Sequence, residues 1–403
     1  MMEISERLVA DGNQVTVLTT DAIDIQHYWL PGKEKIDCPR EYRNGVEIRR
    51  FKVRRFPWHA RALKAFSWIP GMLSRCLFSF PSPLVPGLVR FSRSAEQFDI
   101  VHVTAFPYDS LAYTAWRYAS RHRVPWVCSP FLHLGEDGND EVSRHYTRPH
   151  QLRLLAGADA VTVQTGIERD YLVGRGLSPD RLVMLGMGIN PAELEGGKGE
   201  RFRQQHGLIG PLVCYIGPKT FDKGTVHLLE AMQLLWKAGS PATLVLAGAD
   251  IEDFRRYYRE LPEEVRSKCL MLDFVSDRDK KDLLDACSML VLPSRSDSFG
   301  IVLLEAWYYG KPVIGARAGG IPGVIRDGVD GFLVPFGNKV ELAGSIRNLL
   351  QELGVSRMLG EEGRRRVLAE YTWDDKYAIV KDLYQRLAGS RGAPPGEKAG
   401  GTD

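Results

Sequence analysis

The residues best placed to do chemistry lie between 293 and 316, PSRSDSFGIVLLEAWYYGKPVIGA. An apolar run ends at Pro293, a polar loop follows, and a helical pattern opens near Phe299–Gly300. Asp297 and Glu305 are eight residues apart. That is just over two helical turns, so the loop carboxylate and the helix carboxylate share one face. The first turn of a helix leaves N–H groups free and carries the positive end of the dipole, which suits an anion. Ser298, Phe299, Gly300 and Ile301 form that entry, and Gly300 lets a ligand approach the backbone closely. A carboxylate accepts two hydrogen bonds at once, as the vicinal diol of a ribose offers. The alternative makes Asp297 a helix cap and Glu305 a surface residue, and the segment alone leaves both open.

A second segment is IGPKTFDKGTVHLLEAM, residues 216–232. Gly217 ends a strand there, and Lys219 and Lys223 sit on the strand-to-helix loop. Two ammonium groups so placed can neutralise a diphosphate, although loop lysines are also commonly just solvated. The G-x-x-x-x-G-K-[ST] phosphate loop is absent. In SPFLHLGE, His133 follows the C-terminal end of a strand, where ligands of open α/β sheets sit; a structural histidine is the other reading. His102, inside a strand, reads as structural. Gly319 and Gly320 lie on another strand-to-helix loop suited to phosphate or sugar contact, whereas DGVDG reads as a turn. Asp277-Arg278-Asp279 matches D-x-D, but it opens a helix, so N-capping is the simpler account. No His/Cys/carboxylate spacing suggests a metal, and none is expected.

These residues need a scaffold. The chain has 403 residues, with 53 Lys/Arg against 50 Asp/Glu and a net charge of +3, too balanced to mark a nucleic-acid binder. The length suggests two or three domains. Short apolar runs alternate with helical patterns: QVTVLT, VEIRRFKV, DIVHVT, PWVCSP, DAVTVQ and RLVMLG in the first half, then PLVCYIG, ATLVLAG, CLMLDF, SMLVLP, KPVIGA and GFLVP. Such alternation predicts α/β architecture with parallel sheets covered on both faces. The seam near 190–210 divides it into doubly wound domains over 1–192 and 193–370. A further helix is expected over 371–388, and a polar, Gly/Pro-rich disordered tail over 389–403.

The opening is unusual: EISERLVADG reads as a helix and runs straight into QVTVLT, whereas a doubly wound domain normally opens with a strand and a glycine-rich turn. The first strand and its loop are therefore expected to be lacking. The six cysteines show no C-x-x-C spacing and read as small buried hydrophobes in a reducing compartment. No signal peptide and no apolar run of membrane-spanning length are visible, so a soluble cytoplasmic protein is expected. Residues 48–95 hold ten Lys/Arg and no Asp/Glu, interleaved with Phe51, Phe56, Trp58, Phe66, Trp68, Phe78 and Phe80. This stretch suits peripheral contact with an anionic membrane surface at its inner face; an acceptor-binding patch or a solvated basic face are the alternatives.

Together these segments resemble the retaining glycosyltransferases of family 4, a GT-B group, over roughly residues 1–388. DSFGIVLLEAWYYGKPVIG resembles the family's E-x7-E region, and YIGPKTFDKG its G-R-x-x-x-x-K-G. ADAVTVQT, LGMGINP, GGIPGVI and DGVDGFLVP are also similar to family landmarks. The resemblance implies two Rossmann-like domains facing a cleft, with an acceptor side in the first, a nucleotide-sugar side in the second, and a last helix from Trp373 crossing back. It implies a hexosyltransferase that takes a UDP- or GDP-sugar as donor and a glycan or lipid-linked hydroxyl as acceptor, as in cell-envelope polysaccharide synthesis, with neither metal nor cofactor. Glu305 would hold the ribose and Val275 would meet the base. Lys223, with Lys219, would neutralise the leaving diphosphate, Asp297 would touch sugar hydroxyls, and His133 would contact the donor sugar. The implied mechanism is front-face displacement with retention, the leaving phosphate deprotonating the acceptor. Three departures stand out: Pro218 replaces the family arginine, Asp297 the first glutamate, and the glycine loop is lacking, so turnover by this chain is expected to be weak or absent. A truncated non-catalytic nucleotide-sugar-binding protein and a GT-B sugar-nucleotide epimerase are the alternatives.

Overall fold

Each of the apolar runs becomes a strand in the computed structural model, which describes residues 1–23, 25–28, 32–55 and 83–389. In the first half these are β1 (Thr16–Thr20), β3 (Val46–Phe51), β4 (Val101–Thr104), β5 (Trp126–Ser129), β6 (Ala160–Val163) and β7 (Leu182–Met184). In the second half they are β8 (Leu212–Ile216), β9 (Thr243–Ala247), β10 (Cys269–Leu272), β11 (Met289–Leu292), β12 (Val313–Ala316) and β13 (Gly331–Val334). The strands β5, β6, β11 and β12 are buried along their whole length, which is why they read as continuous apolar runs rather than alternating ones.

One strand is additional. β2 (Arg40–Arg43) pairs antiparallel with β3 through a tight turn at Asn44 (φ 48°) and Gly45 (φ 80°). Asn-Gly is the favoured pair for a two-residue hairpin because both positions require positive φ. The signal was in the sequence, but an exposed strand of charged residues carries no apolar run.

The second sheet runs β10-β9-β8-β11-β12-β13, all parallel. Its order reverses between β8 and β11, so the loops leaving these two strands border the crevice at their carboxyl ends. Those loops carry Lys223 and Asp297. In the first half the strands fall into two sheets, β1-β3-β2 and β4-β5-β6-β7. The last helix, α10 (Trp373–Gly389), packs on this half. Val380 joins Ile4 and Leu185, and Leu383 joins Val127 and Ala160. Arg7 pairs with Asp374 at 2.8 Å and Lys381 with Asp11 at 2.6 Å, which ties α1 (Met2–Ala10) to α10. The chain is thus a GT-B fold, with two Rossmann-like halves and a helix crossing back.

Where it is described, the basic aromatic stretch divides: Lys52, Arg54, Arg90 and Arg93 are exposed, whereas Phe51 and Arg49 are drawn into contacts. Phe51 packs edge-on against Phe91 at 5.9 Å, and Arg49 is clamped by Glu47 and Glu96 at 2.6 Å each. Phe51 and Arg49 therefore belong to internal packing, not to an outward face. Phe56, Trp58, Phe66, Trp68, Phe78, Phe80 and Cys76 lie outside the described residues, as do residues 390–403 of the expected tail. Among the described residues no helix is long and apolar enough to cross a membrane. Cys128, Cys214 and Cys287 are buried as expected, whereas Cys38 is exposed.

Candidate active site

The β8 loop and the β11 loop meet because a glycine lets them. Gly224 has φ 72°, and a Cβ there would stand 2.0 Å from the Pro293 carbonyl oxygen. Gly224 opens helix α5 (Thr225–Lys237), and the residue before it, Lys223, reaches Asp297 Oδ1 with its Nζ at 2.9 Å. Both side chains are only about one-fifth exposed (20% and 21%), so this is a cleft pair and not a solvated surface pair. Asp297 Oδ2 is buried and has no hydrogen-bond partner. A carboxylate oxygen so enclosed is costly unless something donates to it, and a sugar hydroxyl is such a donor.

Asp297 stands in the loop, not at the helix cap. Helix α7 (Ile301–Tyr308) opens on Gly300, with φ 86° and no side-chain cap. The loop is fixed from below by Gly320, whose N–H donates to the Asp297 carbonyl at 2.8 Å. The Gly319 N–H donates instead to the Gly135 carbonyl at 2.7 Å, across to the first half of the molecule. Both N–H groups are thereby engaged in holding loops together, so neither is free for the phosphate or sugar contact expected of Gly319 and Gly320.

His133 approaches the same point from the other side. It follows β5, stacks on Tyr146 at 4.8 Å and 8°, and lies beside the Ser296 main chain. Burial holds its pKa below the ordinary histidine range, and the Lys223 ammonium adds to that. The ring is therefore neutral near pH 7, a hydrogen-bonding group rather than a cation. The three residues His133, Lys223 and Asp297 thus converge from three loops.

Glu305 lies just over one turn into α7, nearly enclosed, and its Oε1 accepts from Lys280 Nζ at 2.8 Å. Lys280 belongs to helix α6 (Asp277–Ala286), which follows the loop carrying Val275. Glu305 and the Val275 loop are therefore linked through Lys280, which the sequence reasoning passed over. Nothing in DRDKKDLLDA distinguishes that lysine from its neighbours. The cap of α6 is Ser276, which accepts from the Asp279 N–H at 3.1 Å, rather than an aspartate. Among the described residues no group of three or more His/Cys/Asp/Glu could hold a metal ion.

One expected ligand contact is corrected. Lys219 is fully buried. Its Nζ donates to the carbonyls of Gly248 and Leu272 and pairs with Asp250 Oδ1 at 2.9 Å. It closes the sheet end between β8, β9 and β10 and has no reach toward a diphosphate. Removing one partner of such a pair leaves the other uncompensated. Lys219→Met is expected to cost about 3 kcal/mol of stability, read by urea denaturation, while leaving nucleotide affinity per folded molecule unchanged. The Phe299 ring is also enclosed, edge-on to Tyr371 at 5.9 Å, so only its main chain can face a ligand. Gly217 donates its N–H to the Ala247 carbonyl at 2.8 Å, in register with the sheet. Ser298 and Ile301 are the partly exposed residues flanking the entry to α7.

Two more residues were missed. Arg295 spans the cleft, bonding Asp222 at 2.8 Å and standing 3.6 Å from Glu136 of the first half. Its guanidinium also lies over the rings of Phe221 and Phe336. Glu168, in helix α3 (Gly166–Gly174), is buried and accepts from the N–H groups of Leu132 (2.9 Å) and Gln164 (2.6 Å). It fixes the residue next to His133. The T-x-x-E pattern at Thr165–Glu168, with the Glu168 N–H donating to Thr165 Oγ1 at 3.2 Å, is a helix-start signature that could have found it. Burial pushes the Glu168 carboxyl up to about 7. A carboxyl raised above its unfolded value binds its proton more tightly in the native state. The stability it contributes is present below about pH 4.5 and is lost as pH rises through about 7. The melting temperature should therefore carry a downward slope between pH 5 and about 7 that disappears in Glu168→Gln.

Comparison with known proteins agrees with this geometry. A family model described as "Glycosyl transferase 4-like domain" matches residues 1–188, and one described as "Glycosyl transferases group 1" matches residues 199–366. The chain belongs to glycosyltransferase family 4. An uncharacterized glycosyltransferase of Methanocaldococcus jannaschii is 25% identical over 399 residues, covering 95% of this chain and 92% of that protein. An alpha-maltose-1-phosphate synthase of Mycolicibacterium smegmatis is 29% identical over 254 residues, 58% of this chain and 65% of that one. The crystal structure of Anabaena HepE in complex with UDP-glucose superposes with a TM-score of 0.68 at 18% identity, covering 92% of this chain and 99% of that one. For this family 4 glycosyltransferase that last likeness establishes the fold alone.

Proposed function

We propose that this protein transfers a hexosyl group from a nucleoside diphosphate sugar to a hydroxyl acceptor, with retention of anomeric configuration and without a metal ion. The observation that carries the reading is the junction of Lys223, Asp297 and His133, with the buried Asp297 Oδ2 left without a hydrogen-bond partner. The names of the relatives agree: one makes a sugar 1-phosphate conjugate, and a structural neighbour holds UDP-glucose. UDP-glucose is accordingly the first donor to try.

In this reading Glu305 takes the ribose diol and the Val275 loop meets the base. The Lys223 ammonium and the N-terminal end of α7 balance the charge that grows on the leaving diphosphate. Asp297 and neutral His133 hold sugar hydroxyls. The acceptor oxygen forms its bond to the anomeric carbon on the face that the diphosphate leaves. The acceptor proton passes to a departing phosphate oxygen, so no protein base is required. The protein's share is positioning and charge neutralisation. The basic, aromatic composition of residues 48–95 favours a glycan or lipid-linked acceptor met at the cytoplasmic face of a membrane.

The test is to incubate the purified protein with UDP-glucose and an acceptor panel, with and without a chelator, and to read the anomer by NMR. An α-linked product formed equally with chelator is expected. A β-linked product overturns retention, and loss of activity with chelator overturns metal independence. Free epimerised sugar without acceptor would point to an epimerase instead.

A further inference from the structure

Beside the candidate site the two halves of the molecule touch at Gly319 and at Arg295. The Gly319 N–H donates to the Gly135 carbonyl at 2.7 Å, and Gly319 also packs on the Arg295 main chain. Arg295 divides its guanidinium between the halves. Nε and Nη2 both bond Asp222 Oδ1 of the β8 loop, at 2.9 and 2.8 Å. Nη1 lies 3.6 Å from Glu136 and 3.8 Å from Glu141, both of the first half. The Phe221 and Phe336 rings lie 5.8 and 5.4 Å from the guanidinium carbon, and the side chain is only 15% exposed. The planar head is therefore fixed on the second half, poorly hydrated, with one nitrogen left for the first half.

The loop that Arg295 meets needs a cation. Residues 133–141, HLGEDGNDE, carry Glu136, Asp137, Asp140 and Glu141 and no lysine or arginine. This loop faces Asp222 and Asp297 across the cleft, and in the proposed reaction a diphosphate as well. Like charges brought together where little water remains repel strongly. Lys223 is taken up by Asp297, and Arg295 is the cation set between Asp222 on one side and Glu136 and Glu141 on the other. The contacts to the two glutamates are longer than a hydrogen bond, and Glu136 Oε2 is buried without a partner. The grip can therefore tighten when a ligand draws the halves together.

The same loop carries His133. Glu168 holds its root by accepting from the Leu132 N–H, and Arg295 meets its far part at Glu136 and Glu141. His133 lies between these two anchors. We propose that Arg295 is a positioning residue, a latch that holds the 133–141 loop against the second half and so keeps His133 at the Lys223–Asp297 junction. Its effect on the donor sugar rests on the glycosyl-transfer reading; the latch itself does not.

Residue-resolved hydrogen exchange tests the latch, because two neighbouring amides report on different joints. The Gly319 N–H bonds across the cleft, whereas the Gly320 N–H bonds to the Asp297 carbonyl within the second half. Two variants are compared with wild type: Arg295→Met, and the double variant Glu136→Gln/Glu141→Gln, which leaves the Arg295–Asp222 pair intact. In both, exchange at Gly319 should rise roughly 10-fold while Gly320 is unchanged. Calorimetric titration gives the second readout. Both variants should bind UDP as wild type does, since the second half holds the nucleotide. The ratio of UDP-glucose to UDP affinity should fall roughly 10-fold, since the sugar loses His133. Equal acceleration at Gly320 would make Arg295 a support of its own loop and overturns the proposal. Unchanged exchange at Gly319 in the double variant overturns it too, as does fast exchange there in wild type. Faster exchange at Gly319 with the affinity ratio intact bears out the latch and overturns instead the placing of the sugar at His133.

Discussion

Glu305→Ala is expected to lower kcat/KM by roughly 10²–10⁴, through the loss of two charge-assisted hydrogen bonds at about 1.5–3 kcal/mol each. The carboxylate is well placed for that role. It is nearly enclosed, stands just over one turn into α7, and is fixed by Lys280 at 2.8 Å. One oxygen takes the lysine, and the lone pairs that remain accept from a diol. Loss of activity alone would not prove ribose binding, because the substitution also frees the Lys280 ammonium beside the site. The sharper measurement is a cycle in which UDP and its 2′,3′-dideoxy analogue are titrated calorimetrically into wild type and variant. The wild type should prefer the diol strongly, and Glu305→Ala should bind both alike. A variant that still prefers the diol would exclude Glu305 as the ribose ligand. Lys280→Met provides the control: it should loosen the Glu305 carboxylate and weaken binding while leaving some preference for the diol.

The sheets were legible because their strands are buried on both faces, so apolar runs such as SMLVLP and KPVIGA stand out from the helices between them. β2 was not, because exposed Arg40 and Arg43 hide the strand, and only Asn44-Gly45 marks the hairpin. At the site, Lys223, Asp297 and His133 could be chosen because each leaves the carboxyl end of a strand. The sequence carries no sign of which lysine of the β8 loop turns inward. Lys219 and Lys223 sit four residues apart in the same loop. The β-bridge of Lys219 to Asp250 draws the first into the sheet end, where two carbonyls and a carboxylate hold it. Gly224, by its close approach to Pro293, aims the second at Asp297. Glu168 and Arg295 act on other loops through long-range contacts, and their partners are far apart in the chain. The polar joints between loops are thus the part that composition and spacing do not show.

The Lys223–Asp297 pair supports the second large effect. Lys223→Met should reduce kcat by about 10²–10³, the usual consequence of removing one preorganised donor from a developing anion. It should also destabilise the fold, because Asp297, with its Oδ2 buried, would then be left in the cleft with no cation. These two consequences can be separated. In Lys223→Met/Asp297→Asn the uncompensated charge is gone, so the melting temperature should return toward wild type. Activity should not return, since neither the ammonium nor the sugar-facing carboxylate is restored. A double variant that recovers both would reduce the pair to a structural salt bridge and move the diphosphate contact elsewhere. Asp297→Asn alone completes the cycle. It keeps an oxygen for a sugar hydroxyl but leaves the Lys223 ammonium free, which should tighten UDP while slowing transfer. Opposite movements of product affinity and kcat are what a lysine shared between Asp297 and the leaving diphosphate requires, because its release from the carboxylate is then part of donor binding.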